Sequence, residues 1–457
     1  MKIHFISIGG SVMHQLAIAL KRKGYQVTGT DDEIFEPAKG TLAAEGLLPK
    51  AEGWQPQMIH NALDAVILGM HAKADNPELA RAKALGLPIY SFPEYIYKES
   101  TEKKRVVVGG SHGKTTTTAM IMHVLRAAGQ PFDYLVGARL QGFDQSVSLT
   151  HAPVIVCEGD EYPASTLERR PKFHFLFPHI AVITGIAWDH INIFPTFDNY
   201  LEQFRIFIKK IEKGGTLIYN DTDAELTQLV AETKRPDLVY LPYGVPQHDI
   251  NNGQTKIQLE GYETPLSVFG HHNLLNLHAA WLVTKTLGLS AEVFTKAIAT
   301  FKGAAKRLEL LAQGDGCLVY RDFAHAPSKA KATINAVRAQ FPQHQLVAVF
   351  ELHTFSSLNE AFLKEYAGVM DAADAGAVFY SKHALELKRM PFLEPEKVAA
   401  AFATNGLHVF TDRNQLENWL GAQDYNQTVL LLMSSGNYDG LDITNFAQKI
   451  TSQQASA

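Results

Sequence analysis

A glycine-rich segment between an apolar run and a helical pattern constrains the fold of this chain more than any other feature. The segment Gly110-Ser111-His112-Gly113-Lys114-Thr115 follows the apolar residues 106–108 and precedes the apolar-periodic residues 116–128. In such a strand-loop-helix unit, backbone N–H groups and the positive end of the helix face an anion, the lysine adds a charge, and the threonine hydroxyl is a magnesium ligand. The segment therefore predicts a parallel α/β sheet with a nucleotide phosphate loop, and a ligand-free glycine turn is the alternative.

The composition excludes several classes of protein. With 457 residues, 46% of them hydrophobic and 19% charged, the chain has the composition of a soluble globular protein of several domains. A net charge of −5 gives no bulk attraction to nucleic acid or to an anionic membrane, so neither is a predicted partner. Cys157 and Cys317 lie in apolar runs, which indicates reduced, buried thiols. Since no leader pattern and no membrane-spanning apolar stretch is recognisable, we predict a cytoplasmic location.

Short β-branched runs alternate with helical patterns along most of the chain, which is typical of parallel sheets built from strand-helix-strand units. The alternation falls into three blocks, and a charged stretch at residues 98–104 separates the first two. The sequence thus predicts an α/β fold class with three domains. Residues 1–99 form a Rossmann-like domain, residues 104–303 a central parallel sheet with the phosphate loop, and residues 306–457 a second Rossmann-like domain.

Acidic residues follow two apolar runs of the second block. Glu158-Gly159-Asp160-Glu161 comes directly after one run, and Asp189-His190 follows the next. The carboxyl ends of parallel strands form the ligand crevice of a sheet, and magnesium bound to a triphosphate takes one or two hard protein ligands. We therefore expect a metal site here, although an acidic turn is most often solvated and an Asp-His pair is most often a satisfied hydrogen bond.

Further polar groups lie at a helix start and at block boundaries. Asn273 and Asn276 lie near the start of a helical pattern, Lys306-Arg307 lies between the second and third blocks, and Asp322 and His325 follow a strand pattern. Domain interfaces and strand ends favour ligand binding. Helix capping, a charged hinge and a polar turn are the alternatives.

Taken in order, these motifs resemble the full motif set of the Mur ligases, and the resemblance covers nearly the whole chain. It implies an ATP-dependent, ADP-forming enzyme that builds the peptide stem of peptidoglycan precursors. It also implies three domains, which hold a UDP-sugar, ATP and an incoming amino compound. These domains coincide with the three blocks.

The resemblance implies a role for each motif. The implied ATP site consists of Gly110, Ser111, His112, Gly113, Lys114, Thr115, Thr116, Asn273, Asn276, Arg307 and Asp322, with Mg²⁺ on Thr115, Glu158 and His190. The implied catalytic residues are Lys114, His190, Arg307 and His325, and the implied UDP-sugar site consists of Gly9, Gly10, Ser11, Asp31 and Asn76. A dinucleotide site in the first block is disfavoured, because residues 9–13 lack the spaced glycines of that fingerprint.

Individual roles follow from the same resemblance. Lys114 would hold the β- and γ-phosphates, Arg307 would neutralise the transferred phosphate, and Asn273 would contact the adenine side of ATP. Asp322 would lie near the ATP ribose, and His325 would lie beside the acceptor. His190 would reach a second metal.

Residues that vary within the family point to one branch. Tyr162, Phe323 and the segment 433–436 resemble ligases that join UDP-N-acetylmuramate to the recycled tripeptide L-Ala-γ-D-Glu-meso-diaminopimelate. Ligation of L-alanine alone is the alternative. A second alternative, a nucleotide-binding regulatory protein without ligase activity, stays open because Gly185 occupies the position of a usual family asparagine. We expect a monomer or a weak homo-oligomer.

Overall fold

The computed structural model describes residues 1–453 except 71, 138–139, 141, 166, 189–192, 252 and 304–306. Contacts divide the chain into two compact units. The first contains Met1–Val245 and Leu275–Ile298, and the second contains Pro246–Leu274 and Ala299–Ala457. Within the described part of the chain, no helix is both long enough and apolar enough to cross a membrane. The predicted α/β class is confirmed, while the boundaries 1–99, 104–303 and 306–457 stay predictions.

The first unit begins with a parallel four-stranded sheet of order β2-β1-β3-β4. Its strands are β1 (Lys2–Ile6), β2 (Gln26–Thr30), β3 (Ala65–Leu68) and β4 (Ile89–Ser91). Its helices are α1 (Met13–Arg22), α2 (Ala38–Ala44), α3 (Pro77–Ala84) and α4 (Phe92–Glu99). Because β2 and β3 lie on opposite sides of β1, the strand order reverses there, and such a switch point is where open α/β sheets bind ligands.

A seven-stranded sheet of order β11-β10-β9-β5-β8-β6-β7 completes the sheets of the first unit. Its strands are β5 (Lys104–Gly109), β6 (Asp133–Leu135), β7 (Val147–Ser148), β8 (Val154–Glu158), β9 (Ile180–Ile183), β10 (Thr216–Asn220) and β11 (Val239–Tyr243). Its helices are α5 (Lys114–Ala127), α6 (Phe197–Lys209) and α7 (Ala224–Glu232). All pairs are parallel except β6 with β7. The carboxyl ends of β5, β8 and β9 therefore meet at one edge.

The next segment carries a three-stranded antiparallel sheet and two helices. The strands, in the second unit, are β12 (His248–Asn251), β13 (Gln254–Leu259) and β14 (Tyr262–Leu266). The helices are α8 (His271–Thr286), which runs from the second unit into the first, and α9 (Ala291–Ile298) of the first. Buried and exposed residues alternate along β13, which is the pattern of a strand with one covered face.

A six-stranded sheet of order β15-β16-β20-β17-β18-β19 forms the core of the second unit. Its strands are β15 (Glu309–Gln313), β16 (Cys317–Asp322), β17 (Gln345–Glu351), β18 (Ala375–Phe379), β19 (His408–Phe410) and β20 (Thr428–Met433). The remaining helices are α10 (Pro327–Gln340), α11 (Lys382–Leu387), α12 (Pro395–Phe402), α13 (Arg413–Gly421) and α14 (Ile443–Gln453). Only β15 is antiparallel to its neighbour, so the other strands end at the same edge.

A buried arginine holds the start of β5 in place. The side chain of Arg105 is 3% exposed. Its Nε donates to the carbonyls of Leu176 and Phe177 at 3.0 and 2.9 Å, and its Nη1 donates to the carbonyl of Ser100 at 2.8 Å. Its Nη2 pairs with Glu212 at 2.7 Å. Arg105 thus joins three loops to the strand that leads into the phosphate loop.

Replacing this arginine should destabilise the first unit. Arg105→Met keeps much of the side-chain volume but removes the hydrogen bonds to three carbonyls and the ion pair with Glu212, and we expect a loss of about 3 kcal/mol or more in the free energy of unfolding. Arg170→Met is the control, because Arg170 is 58% exposed and pairs with Glu168; its loss should stay below about 1 kcal/mol. Denaturant unfolding measures both, and equal losses would contradict this role of Arg105.

Candidate functional site

Two glycines allow the phosphate loop to turn from β5 into α5. Gly110 and Gly113 have φ angles of +128° and +86°, in the region that favours glycine. A Cβ on Gly110 would lie 2.2 Å from Oγ1 of Thr184, and a Cβ on Gly113 would lie 2.2 Å from Oδ1 of Asn276. Larger residues cannot replace either glycine without moving the loop. The backbone therefore stays bare at the amino end of α5, where an anion binds best.

Lys114, the first residue of α5, lies between the loop and the acidic strand-end segment. Its Nζ donates to the carbonyl of Gly110 at 2.6 Å and pairs with Glu161 at 2.8 Å. Burial by itself lowers the pKa of Lys114, but the charge and hydrogen bond of Glu161, together with the charges of Asp160 and Glu158, raise the pKa above its ordinary value. The ammonium group is therefore charged at neutral pH and is held at the phosphate loop.

Thr115 and Glu158 form the predicted pair of hard oxygen ligands. The Thr115 hydroxyl donates to Oε1 of Glu158 at 2.7 Å, and the backbone N–H of Gly137 donates to Oε2 at 3.0 Å. The described residues contain no group of three or more His, Cys, Asp or Glu side chains that could hold a metal ion. Two oxygens fit a magnesium ion that takes its other ligands from ATP phosphates and water.

Ser111 attaches the phosphate loop to the segment after β9. Its hydroxyl lies 2.9 Å from the hydroxyl of Tyr200 and accepts from the N–H of Ala187 at 2.8 Å. Its own N–H donates to the carbonyl of Gly185 at 2.9 Å. The loop and the segment that leads to Asp189-His190 are therefore held together.

Thr184 and Asn220 strengthen this attachment. The Thr184 hydroxyl donates to the carbonyl of Gly109 at 3.2 Å and to the carbonyl of His112. The amide of Asn220 donates to the carbonyl of Thr184 at 3.2 Å. Asn220, at the end of β10, thus supplies an amide to the residue before Gly185. Gly185 is the position at which the sequence lacks the asparagine that is usual in the family.

The two asparagines of α8 have different contacts. Oδ1 of Asn276 accepts from the hydroxyl of Thr117 at 3.2 Å and covers Gly113, so Asn276 lies at the phosphate loop. The amide of Asn273 donates to the carbonyl of Phe269 at 2.9 Å, across the turn that starts the helix. Thr116, in the first turn of α5, is buried. Nucleotide contacts of these three side chains stay predictions.

Some predicted residues cannot be placed. Asp189 and His190 lie outside the described residues, and so does Lys306. The predicted metal and catalytic roles of His190 therefore stay predictions.

In the second unit, Asp322 joins the segment before β15 to the segment after β16. Its carboxylate accepts from the N–H groups of Leu308 and Ala324, both at 2.8 Å, and from the hydroxyl of Thr333 at 3.3 Å. Burial raises the pKa of Asp322, and these donors act in the opposite direction. Asp322 fixes the backbone that follows Arg307, and its predicted ribose contact stays a prediction.

Phe323 lies between the two other predicted residues of this unit. The guanidinium carbon of Arg307 is 5.3 Å from the centre of the Phe323 ring, and the rings of Phe323 and His325 are also 5.3 Å apart. Nδ1 of His325 lies 2.9 Å from the carbonyl oxygen of Phe323. The structure therefore brings Arg307 and His325 to one ring at the carboxyl end of β16.

The predicted UDP-sugar residues lie at the carboxyl ends of β1, β2 and β3. The N–H of Gly9 donates to Oδ2 of Asp31 at 2.7 Å, and Gly10 and the exposed Ser11 follow it. Burial raises the pKa of Asp31 to about 7. Asn76 is buried and accepts from two N–H groups in the first turn of α3. Gly9 and Asp31 are thus in contact at the carboxyl ends of neighbouring strands. Asn76 caps α3.

Sequence reasoning did not select Glu161, the partner of Lys114. It chose Glu158 from the acidic segment, while the buried Glu161 forms the ion pair and Asp160 pairs with Lys172. A buried ammonium group needs a carboxylate partner, so the sequence could have predicted that one of these acids pairs with Lys114. This requirement does not decide which of the three acids in the segment forms the ion pair.

Comparisons with known proteins agree with this geometry. Family models match along the chain: the Mur ligase family catalytic domain at residues 2–102, the Mur ligase middle domain at 108–284, and the Mur ligase glutamate ligase domain at 306–436. A UDP-N-acetylmuramate–L-alanine ligase of Arthrobacter sp. (strain FB24) is 32% identical over 82% of this chain and 80% of its own length. The chain belongs to the Mur ligase family. It is therefore an ATP-dependent, ADP-forming amide ligase of the kind that acts in peptidoglycan synthesis.

Solved structures of Mur ligases include two types of acceptor specificity. The UDP-N-acetylmuramate:L-alanyl-γ-D-glutamyl-meso-diaminopimelate ligase of Neisseria meningitides is 26% identical, with a TM-score of 0.60, and covers 66% of this chain and 98% of its own. The UDP-N-acetylmuramate–alanine ligase of Thermotoga maritima has a TM-score of 0.67 over 100% of both chains, but at 21% identity it shows the fold alone. The predicted family and fold class are confirmed.

Loss of the Lys114 charge should abolish turnover by this Mur ligase. Lys114→Met removes the ammonium group at the phosphate loop, and we expect ATP-dependent ADP release to fall by about 100-fold or more because charge on the phosphates is no longer stabilised. Lys296→Met, which changes an exposed lysine of α9 paired with Glu292, should keep wild-type activity. An active Lys114→Met variant with an unchanged melting temperature would contradict the assignment.

The raised pKa of Asp31 predicts a pH-dependent stability. This carboxyl has an ordinary pKa of 3.8 and titrates near 7 in the folded unit. Ionisation therefore opposes folding, so stability falls as the pH rises from about 4 to about 7 and levels off above that. Asp31→Asn keeps an acceptor for Gly9 without this fall.

We expect the melting temperature of Asp31→Asn, relative to wild type, to be higher at pH 8 than at pH 5. Asp249→Asn, a change of an exposed residue of β12, is the control and should follow the wild-type profile. Parallel profiles of Asp31→Asn and wild type would rule out the raised pKa.

Proposed function

We propose that this Mur ligase joins the carboxylate of UDP-N-acetylmuramate to the amine of the recycled peptide L-Ala-γ-D-Glu-meso-diaminopimelate. The observation that carries the proposal is the contact of Phe323 with both Arg307 and His325. Phe323 is one of the residues that resemble the tripeptide branch, together with Tyr162 and the segment 433–436. The Neisseria ligase of that printed activity, at 26% identity, supports it.

The proposed reaction has two steps. In the first, a carboxylate oxygen of the muramate attacks the γ-phosphorus of ATP, the bond to ADP breaks, and an acyl phosphate forms. In the second, the peptide amine attacks the acyl carbon, the C–N bond forms, phosphate leaves, and the amine loses a proton. Neither step requires covalent attachment to the protein, so positioning and charge neutralisation carry catalysis.

The residues divide these tasks between them. Lys114 and the loop N–H groups hold the β- and γ-phosphates, and Arg307 neutralises the transferred phosphate. Thr115 and Glu158 would hold magnesium, which when bound supplies positive charge to the ATP phosphates. His325 lies on the acceptor side.

Nucleotide contacts complete the proposed substrate sites. Asn273 contacts the adenine side of ATP, Asp322 lies near its ribose, and Asn276 belongs to the same ATP site. The UDP-sugar site contains Gly9, Gly10, Ser11, Asp31 and Asn76. The second-metal role of His190, the cytoplasmic location and the monomeric or weakly associated state remain predictions.

L-Alanine is the second candidate acceptor. It is favoured by the printed names of curated relatives, among them the Arthrobacter ligase at 32% identity. The two candidates share the ATP chemistry and differ only in the amine that attacks the acyl phosphate.

A direct comparison of acceptors separates them. The purified full chain is incubated with ATP, Mg²⁺ and UDP-N-acetylmuramate, and ADP release and product mass are measured with either tripeptide or L-alanine. We expect kcat/KM for the tripeptide to exceed that for L-alanine by about 100-fold or more, and EDTA to stop both reactions.

Lys114→Met and omission of UDP-N-acetylmuramate are the controls. A preference for L-alanine would replace the proposal with the second candidate. Absence of ADP release with both acceptors would reject both.

A further inference from the structure

Two lysine–phenylalanine pairs lie in the segments that follow β17 and β18. The Nζ of Lys388 lies 5.6 Å from the ring centre of Phe355, and the Nζ of Lys382 lies 5.7 Å from that of Phe392. Phe355 and Phe392 are 64% and 49% exposed. These four residues are called the lysine–phenylalanine surface.

Neither lysine of this surface is neutralised. Among the described residues, no carboxylate lies within ion-pair distance of Lys382 or Lys388, whereas Lys397 of the same unit pairs with Glu360 at 2.8 Å. Exposed aromatic rings are unfavourable in water, and unpaired ammonium groups above them attract anions. The surface therefore suits a ligand that combines carboxylates with apolar chain segments.

The charge of Lys388 acts on a residue near the strand ends of the same sheet. Burial and then the charge of Lys388 lower the pKa of His353, and Nδ1 of His353 lies 3.7 Å from Oε1 of Glu351. Glu351, the last residue of β17, accepts from the hydroxyl of Ser434. The N–H of Ser434 donates to the carbonyl of Asp322 at 2.9 Å, at the end of β16. Contacts thus lead from Asp322 through Ser434 and Glu351 to His353, whose pKa is lowered in part by the charge of Lys388.

We propose that the lysine–phenylalanine surface binds the distal carboxylates and aliphatic segments of the acceptor peptide, and thereby selects a peptide over a single amino acid. The inference rests on the proposed function. L-Alanine has one carboxylate, on the carbon that bears the reacting amine, so it has no second carboxylate to place here. The tripeptide has three carboxylates and an aliphatic diaminopimelate chain, which match two ammonium groups and two rings.

Charge removal on this surface should change the apparent affinity for the acceptor alone. For the double variant Lys382→Ala/Lys388→Ala of the full chain, we expect the KM for tripeptide to rise by about 10-fold or more. The KM values for ATP and UDP-N-acetylmuramate, and kcat at saturating tripeptide, should stay within about twofold. Phe355→Ala should raise the same KM by a smaller factor.

Two controls test whether charge is the cause. Lys382→Arg/Lys388→Arg keeps both charges and should keep the tripeptide KM within about threefold of wild type. Lys397→Ala removes an exposed lysine that already has a partner and should leave all KM values unchanged. Melting temperatures of all variants within about 2 °C of wild type show that the fold is intact.

The outcomes separate the two proposals. If wild type releases ADP with tripeptide and the double alanine variant keeps its tripeptide KM, the inference is wrong while the proposed function stands. If wild type releases no ADP with tripeptide, the proposed function is wrong and this inference falls with it. A rise in all three KM values alike would also reject the inference, because it indicates general damage.

Discussion

Parallel pairing of β5 with β8 and β9 is the constraint on which the proposed ATP site of the first unit depends. Because the three strands end at one edge, the phosphate loop emerges beside Glu158 and Thr184. At Gly110 the loop backbone lies so close to Thr184 that a side chain would collide. The loop position is therefore set by backbone packing and by the hydroxyls of Ser111 and Thr184, and a phosphate meets N–H groups that are already oriented.

The buried charges at the carboxyl ends of β5 and β8 must also be balanced. A buried ammonium group without a partner would cost several kcal/mol, and Glu161 supplies the partner of Lys114, while Asp160 pairs with Lys172. Each acid of the segment thus has a separate partner, since Glu158 accepts from Thr115. A triphosphate brings the same kind of negative charge that Glu161 supplies, so it also pairs favourably with Lys114.

The sequence predicted the architecture well because parallel sheets leave strong local signals. Glycines, buried β-branched runs and strand-end acids identified the α/β class and the position of Glu158, whereas Asp31 was selected from the resemblance to the Mur ligases. The hydrogen-bond and ion-pair partners of individual residues were harder to predict from the sequence. Helix α5 begins at Lys114 and not at residue 116, because the left-handed Gly113 allows the helix to start directly after it. Asn273 and Asn276 share one helical turn, yet only Asn276 lies at the loop, and tertiary packing decides that difference.

The lysines of this chain also illustrate why burial and pairing go together. Lys114 is 15% exposed and needs Glu161, because desolvation penalises its charge. Lys382 is exposed and Lys388 is partly exposed, so water can solvate both without a carboxylate, and the rings of Phe392 and Phe355 lie beside them. With a net charge of −5, the chain does not attract anions as a whole. The proposed recognition of an anionic acceptor must therefore be local, and Lys382 and Lys388 above aromatic rings would provide it with little desolvation of the free protein.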